Sequence, residues 1–197
     1  MITYNKYIMK IAITGKMCYG KTTVANLIKS MIDEYEIFSF GKKVKEIAKD
    51  LFNMQIKDRT LLTSIGTKMR EIDPDVWVNY TINQCLDKEY CIIDDLRYQN
   101  ELEACLKNDF VIIELTLPLE VQMERIKEVY PENYQDHYNN MCHVSEQGGL
   151  KIGLDISSKN YLQIDMTQDL EVVRNILVKY FQSLLNPKLS LDLHPFT

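Results

Sequence analysis

The sequence predicts an α/β fold of three layers: a mostly parallel, five-stranded sheet with helices on both faces. Three observations carry this expectation. Short apolar runs alternate with stretches of 3.6-residue periodicity along most of the chain. A glycine-framed loop joins the first apolar run to the first periodic stretch. No Pro/Gly/Ser-rich linker, internal repeat or low-complexity segment divides the 197 residues, so a single domain is expected. Strands alternating with helices require right-handed crossovers, and these build a parallel sheet covered on both sides.

The elements follow in order. Residues 10–14 (KIAIT) read as a short buried strand. Residues 21–35 read as a helix, because Val24, Leu27, Ile28, Met31 and Ile32 fall at helical spacing. A second strand is expected at 36–40 and a helix at 42–52. Two further helices are expected at 60–70 and 74–86, the second capped by Asp73 with Pro74 at its first position. Residues 90–94 (YCIID) form a buried strand ending in acid, followed by a helix at 100–107. The run 110–117 is the longest strand-like segment, with a helix at 119–129 after it. A last strand is expected at 161–166. Thr167 is placed to cap the final helix, whose stripe is Leu170, Val173, Leu177 and Phe181.

Composition narrows the function classes. The chain is 46% hydrophobic and 26% charged, an ordinary balance for a globular protein. No apolar run reaches the roughly 18–20 residues that span a bilayer, so no membrane role is expected. The first ten residues lack a secretory leader pattern, and a cytoplasmic location is expected. The net charge of −5 argues against broad nucleic-acid binding, yet it allows a local cluster of cations around a small anion. Five cysteines with no C-x-x-C pair read as reduced thiols rather than a disulfide framework.

Residues 15–22, Gly-Lys-Met-Cys-Tyr-Gly-Lys-Thr, match G-x-x-x-x-G-K-[ST] without a mismatch. Gly15 and Gly20 let the backbone turn so that successive N–H groups face a β-phosphate. The helix that follows aims its positive end at the same anion. Lys21 bridges the β- and γ-phosphates, and the Thr22 hydroxyl is a Mg²⁺ ligand. The motif follows a strand and opens a helix, which is the context it needs. The expected ATP contacts are Gly15, Lys16, Cys18, Tyr19, Gly20, Lys21, Thr22 and Thr23, with ATP and Mg²⁺ as the bound groups.

Ligands of such sheets collect outside the carboxyl ends of the strands. Asp94, at the tip of its strand, is then the second Mg²⁺ ligand. Taken alone, it reads better as a solvated turn or a helix cap, and the loop upstream turns the reading towards the metal. Arg70, Arg97 and Arg125 lie on three separate elements that reach the same edge. A site that moves a phosphoryl group needs planar, always-charged donors around both phosphates. Each of these arginines taken singly is also compatible with a surface position. Arg59 and Arg174 are expected at the surface. Trp77 reads either as a pocket wall or as a core residue. His137, Cys142 and His143 stand close in sequence but supply no fourth ligand, so polar loop residues are expected there rather than zinc.

The chain resembles the viral and bacteriophage deoxynucleoside monophosphate kinases, within the wider nucleoside monophosphate kinase group. The resemblance runs through four stretches: 13–25 with the loop above, Ser39-Phe40-Gly41 with Leu51-Phe52, Ile65 to Arg70 with Trp77, and Asp94 to Glu101 (DDLRYQNE). A weaker fifth is His143-Val144-Ser145-Glu146. Together they cover about residues 9–146. The resemblance implies a core (9–40, 87–128, 150–185), an acceptor-binding arm (41–86), a lid (129–149) and a C-terminal tail (186–197). It implies that Arg70, Trp77, Arg97, Tyr98 and Glu101 surround the acceptor, with Lys21, Arg97 and Arg125 as catalytic residues. The lid segment departs from relatives with Arg-rich lids, since Lys127 is followed by no basic residue until Lys151. Arg125 and Lys16 are the cations left to meet the moving charge.

The expected reaction is in-line transfer of the γ-phosphoryl group of ATP to a deoxynucleoside monophosphate. The partners are small nucleotides, with no nucleic acid and no membrane, and a homodimer remains open. The alternatives are a kinase of another phosphorylated metabolite, of the phosphomevalonate or dephospho-coenzyme A type, a nucleotide-dependent switch, and a nucleotide-binding scaffold without catalysis.

Overall fold

The computed structural model describes residues 9–140, 150 and 159–185. Residues 1–8, Cys142, His143, Val144, Ser145, Glu146, Gly148, Gly149 and the segment 186–197 lie outside the described residues. The chain runs β1 (Met9–Thr14), α1 (Lys21–Met31), β2 (Glu36–Phe38), α2 (Lys42–Phe52), α3 (Arg59–Ile72), α4 (Val76–Cys85) and β3 (Tyr90–Leu96). It continues α5 (Gln99–Lys107), β4 (Phe110–Thr116), α6 (Leu119–Val129), α7 (Tyr134–Asn140), β5 (Tyr161–Asp165) and α8 (Leu170–Leu185). The five strands form one sheet in the order β2-β3-β1-β4-β5. Every neighbouring pair is parallel.

The sheet is apolar on both faces because its central strands carry apolar residues at successive positions. Ile11 and Ile13 of β1 and Val111, Ile113 and Leu115 of β4 pack with Val24 and Ile28 of α1 and Val173 and Leu177 of α8. The alternate residues, Ala12, Ile93 and Ile112, pack with Val78 and Ile82 of α4 and Leu102 of α5. Each fully buried isoleucine contributes about 1.5–3 kcal/mol against leaving it in water. A third, smaller cluster joins Val44 and Ala48 of α2 to Ile65 of α3 and Trp77 of α4. That cluster ties α2 and α3 to α4, whose Val78 and Ile82 pack with the sheet residues.

β2 stops at Phe38, and β3 runs on to Leu96, so Asp94 lies within the strand rather than at its tip; three helix ends differ as well. α1 ends at Met31, not residue 35. Ile32 turns extended and Tyr35 donates its N–H to Ile32 O at 3.3 Å. This turn drives the Tyr35 ring fully into the core, edge-on to Tyr90 at 5.4 Å. Asp73 does not cap α4. It ends α3, and its Oδ1 accepts the Asp75 N–H at 2.9 Å, so α4 starts only at Val76. Thr167 does not cap α8, since its N–H is held by Asp165 Oδ1 at 2.9 Å and the helix begins at Leu170. In each case a side chain or turn bonded locally before the helix could use the group. No helix among the described residues is long and apolar enough to cross a membrane.

Candidate functional site

The site begins at the carboxyl end of β1. There the chain leaves Thr14, forms the loop 15–20 and enters α1 at Lys21. Gly15 (φ 143°) and Gly20 (φ 91°) both have positive φ, where a side chain is strained. A Cβ at Gly15 would also stand 3.0 Å from the Leu115 carbonyl oxygen, so β4 itself excludes any larger residue. Cys18 takes the left-handed conformation at φ 62°. The loop is fastened from outside by α6 and the end of β4. Buried Gln122 donates to Met17 O at 2.9 Å, and the Tyr19 hydroxyl donates to Leu117 O at 3.1 Å.

Lys21 turns back into this loop. Its Nζ donates to Gly15 O and, at 2.8 Å, to Lys16 O. The ammonium is thus held in the middle of the turn that faces the cleft. Thr22 Oγ1 donates to Asp94 Oδ2 at 3.2 Å. Adjacent parallel pairing of β1 with β3 brings these two hard oxygens together across 72 residues of sequence. A hydroxyl and a carboxylate at this spacing suit Mg²⁺, which keeps waters and phosphate oxygens in its remaining positions. No group of three His, Cys, Asp or Glu among the described residues forms an all-protein metal cage.

Asp95 faces a different task. Its two carboxylate oxygens accept the N–H groups of Phe40 (2.7 Å) and Gly41 (2.9 Å). It therefore clamps the end of β3 to the β2–α2 junction. Burial raises the Asp95 carboxyl above its usual range, and the Gly41 N–H opposes the shift.

The far wall of the cleft is built on α3 and the start of α5. Arg70 donates to Gly66 O (3.3 Å) and to Glu101 Oε1 (3.5 Å), and its guanidinium lies 4.1 Å from the Tyr98 ring centre. Glu101, 2% exposed, accepts the Arg97 N–H at 2.9 Å and the Tyr98 N–H at 3.0 Å with its other oxygen. A Glu at the third helical position reaching back to the cap is a known way of starting a helix. Here it also holds Arg70. Burial pushes the Glu101 carboxyl up to about 7, with the Asp95 charge adding and the Arg97 and Tyr98 N–H groups and Arg70 opposing.

These walls enclose a cleft of about 850 Å³. Lys57 and Arg59, at the start of α3, also line it. Partial desolvation lowers the Lys57 ammonium, and the nearby charges of Arg59, Lys45 and Arg97 lower it further. Arg125 of α6 lines it as well, with Nη2 donating to Met166 O at 2.6 Å beside Gln168 and Leu170.

Residues 11–146 match the model of the family described as AAA domain. The chain belongs to this family. Solved structures with the same fold include a gluconokinase from Sinorhizobium meliloti 1021 (14% identity, TM-score 0.57, 95% of this chain and 99% of that one). Others are the shikimate kinase of Aquifex aeolicus vf5 (18%, 0.50, 90% and 99%) and the Mycobacterium tuberculosis APS kinase CysC in complex with AMPPNP and APS (10%, 0.50, 89% and 98%). At these identities the likeness establishes the fold, that of the P-loop kinases. No curated protein matches the sequence.

In this AAA-domain chain the cleft is lined by Cys18, Gly20, Lys21, Thr22 and Thr23 on the loop side. From the other elements it takes Arg70, Asp94, Arg97, Tyr98, Glu101 and Arg125. Gly15, Lys16 and Tyr19 shape the loop from behind or outside. Trp77 does not line the cleft. It is buried behind the α3 wall with Nε1 donating to Gly66 O at 3.2 Å. Arg59, expected at the surface, is in the cleft, because it is the first residue of α3 and shares the cleft-facing side of that helix with Leu62, Thr63, Gly66 and Arg70. Its signal was faint: a cation at a helix start is ordinarily solvated. Arg174 is exposed as expected. His137 is buried and stacks on Tyr130 at 3.7 Å, so its sequence neighbourhood with two other soft ligands has a packing explanation.

Proposed function

We propose that this AAA-domain chain is an ATP-dependent kinase of a small phosphorylated acceptor, and that a deoxynucleoside monophosphate is the acceptor. The observation that carries the reading is one cleft with two anion-binding walls. The loop with Lys21 and the Thr22–Asp94 pair forms the first. Arg70 and Arg97 form the second. ATP takes the first wall and the acceptor phosphate the second. Tyr98, stacked on Arg70, supplies the aromatic surface that a base needs, in place of Trp77. In this reading 41–86 is the acceptor arm and 129–149 the lid over a single-domain core.

The acceptor's phosphate oxygen attacks the γ-phosphorus as the bond to the β,γ-bridging oxygen breaks, and ADP leaves with the electron pair. A monophosphate oxygen is already a competent nucleophile and needs no protein base. Mg²⁺, when bound with ATP, neutralises charge on the β- and γ-phosphates. Lys21 holds the same oxygens, and Arg97 orients the acceptor phosphate and shields the charge that develops. Glu101 fixes the Arg97 backbone and the Arg70 side chain, so both wall cations are pre-positioned.

A second reading keeps the kinase and changes the acceptor. The solved structures named above are a gluconokinase, a shikimate kinase and an APS kinase, and the last of these was captured with AMPPNP and APS. A coupled ADP-release assay decides between the two. It is run across the common deoxynucleoside and nucleoside monophosphates, then phosphomevalonate, dephospho-coenzyme A, gluconate, shikimate and APS. Turnover with a deoxynucleoside monophosphate is expected. Turnover only with acceptors other than deoxynucleoside monophosphates would replace the acceptor assignment and leave the kinase reading standing.

A further inference from the structure

Helix α3 lays one face along the cleft. Arg59, Leu62, Thr63, Gly66, Thr67 and Arg70 line it at steps of one, three or four residues, which is a single helical stripe. The two arginines sit at opposite ends of that stripe. At 1.5 Å of rise per residue they stand about 16 Å apart along the axis. Arg70 is committed to the α5 end through Glu101 and Tyr98. Arg59 is committed to the donor loop, with Nη2 3.1 Å from the Met17 sulfur.

The surroundings of Arg59 satisfy it poorly. Its guanidinium lies 5.8 Å from the Tyr130 ring centre, and a thioether is a weak acceptor. Its Nε is buried with no hydrogen-bond partner among the described residues. A half-buried guanidinium whose buried Nε lacks an acceptor and whose Nη2 meets only a sulfur gains when oxygens arrive to accept from it. Lys57, two residues earlier, sits in the same cationic corner as Arg59, Lys45 and Arg97, and Cys18 of the loop is also within its electrostatic reach. Arg125, which also lines the cleft, is tied to the Met166 carbonyl at 2.6 Å.

We propose that Arg59, delivered by α3 rather than by the lid, is the catalytic cation that stabilises the phosphoryl group in flight. The assignment rests on the kinase reading above. A phosphate tail that starts on the N–H groups at the N-terminus of α1 and passes Lys21 projects its terminal phosphate towards the corner of Met17, Cys18 and Arg59. As the new P–O bond forms and the β,γ-bridging bond breaks, charge grows on the bridging and equatorial oxygens. Those oxygens supply the acceptor that the Arg59 Nε hydrogen lacks and a stronger one than the Met17 sulfur offers Nη2. A donor of fixed, planar, always-charged geometry suits this task.

The test compares wild type with Arg59→Ala and Arg59→Lys on the acceptor that the ADP-release assay identifies. A second readout is the affinity for ADP plus acceptor with and without aluminium fluoride, which mimics the transferring group. Arg59→Ala is expected to lower kcat by about a hundredfold or more, within the range of an arginine that meets transition-state charge. The KM for acceptor should stay within about threefold, and the melting temperature should stay near wild type. Aluminium fluoride should tighten ADP binding in wild type and not in Arg59→Ala, and Arg59→Lys should restore only a small part of either property. A raised acceptor KM with kcat intact would make Arg59 an acceptor-binding residue and overturn the proposal. Unchanged kcat together with an unchanged aluminium fluoride effect would reduce it to packing on Tyr130. If wild type transfers phosphate to no acceptor while still binding ATP, the kinase reading falls and the assignment with it. That outcome shows in the wild-type assay before any variant is compared.

Discussion

Lys21 and Arg97 show how differently two cations are placed. The Lys21 ammonium is a point charge resting on two loop carbonyls, ready to exchange them for phosphate oxygens. Lys21→Ala is expected to cut turnover by about a hundredfold or more. The circular dichroism spectrum should remain that of wild type, because the change is at an anion contact rather than among the core residues. Near wild-type turnover would remove the donor-loop assignment. Arg97 sits on a backbone pinned by Glu101, which points to a geometric role. Arg97→Lys keeps the charge and loses the planar fork, so kcat/KM should fall by at least about tenfold, or about 1.4 kcal/mol. Equal activity of the two would show that a diffuse charge suffices. Asp94 was read only in the light of the donor loop, whereas Lys21 and Thr22 were readable from sequence because one motif fixes their type and spacing together. Arg59 and Trp77 were not, because a cation or an indole at helical spacing carries no mark of what its helix face will meet.

Among the elements, α5 carries the pH dependence. Its Glu101 titrates at about 7 in the folded chain, against an ordinary value of 4.5. The cause is first burial and then Asp95. A carboxyl raised in this way contributes stability that is fully present below about 4.5 and is lost as pH rises through about 7, where the buried group must ionise. Unfolding free energy measured in urea should therefore fall between pH 5 and 8, and Glu101→Gln should flatten that part of the profile. An unchanged slope in the variant would assign the dependence to another group. Most element types and several boundaries were legible from periodicity, α2 and α6 among them. The misplaced ends were those where a short polar side chain competed for a backbone N–H, as Asp73 and Asp165 do, or where burial of Tyr35 bent the chain. Periodicity reports which face is apolar and is blind to such local bonds.

At the scale of the molecule, the proposed function assigns donor and acceptor to different walls of the cleft, and the two should be separable by experiment. Arg70→Ala is expected to raise the acceptor KM several-fold more than the ATP KM, since Arg70 lies on the α3–α5 wall, away from the loop. Equal rises in both constants would mean that the wall acts through the whole fold. The sequence by itself determined the layer architecture and the donor loop. Both rest on local rules: alternating periodicities for the sheet and its helices, and a glycine-framed turn of fixed spacing between a strand and a helix. Only the tertiary structure decided which of the five arginines share a cleft, that Asp94 meets Thr22 while Asp95 clamps Phe40 and Gly41, and that Trp77 stands behind the wall while Tyr98 stands in it. Those outcomes depend on strand order and helix rotation. These bring together residues tens of positions apart, and they are set by how whole elements pack rather than by the neighbours of any one residue.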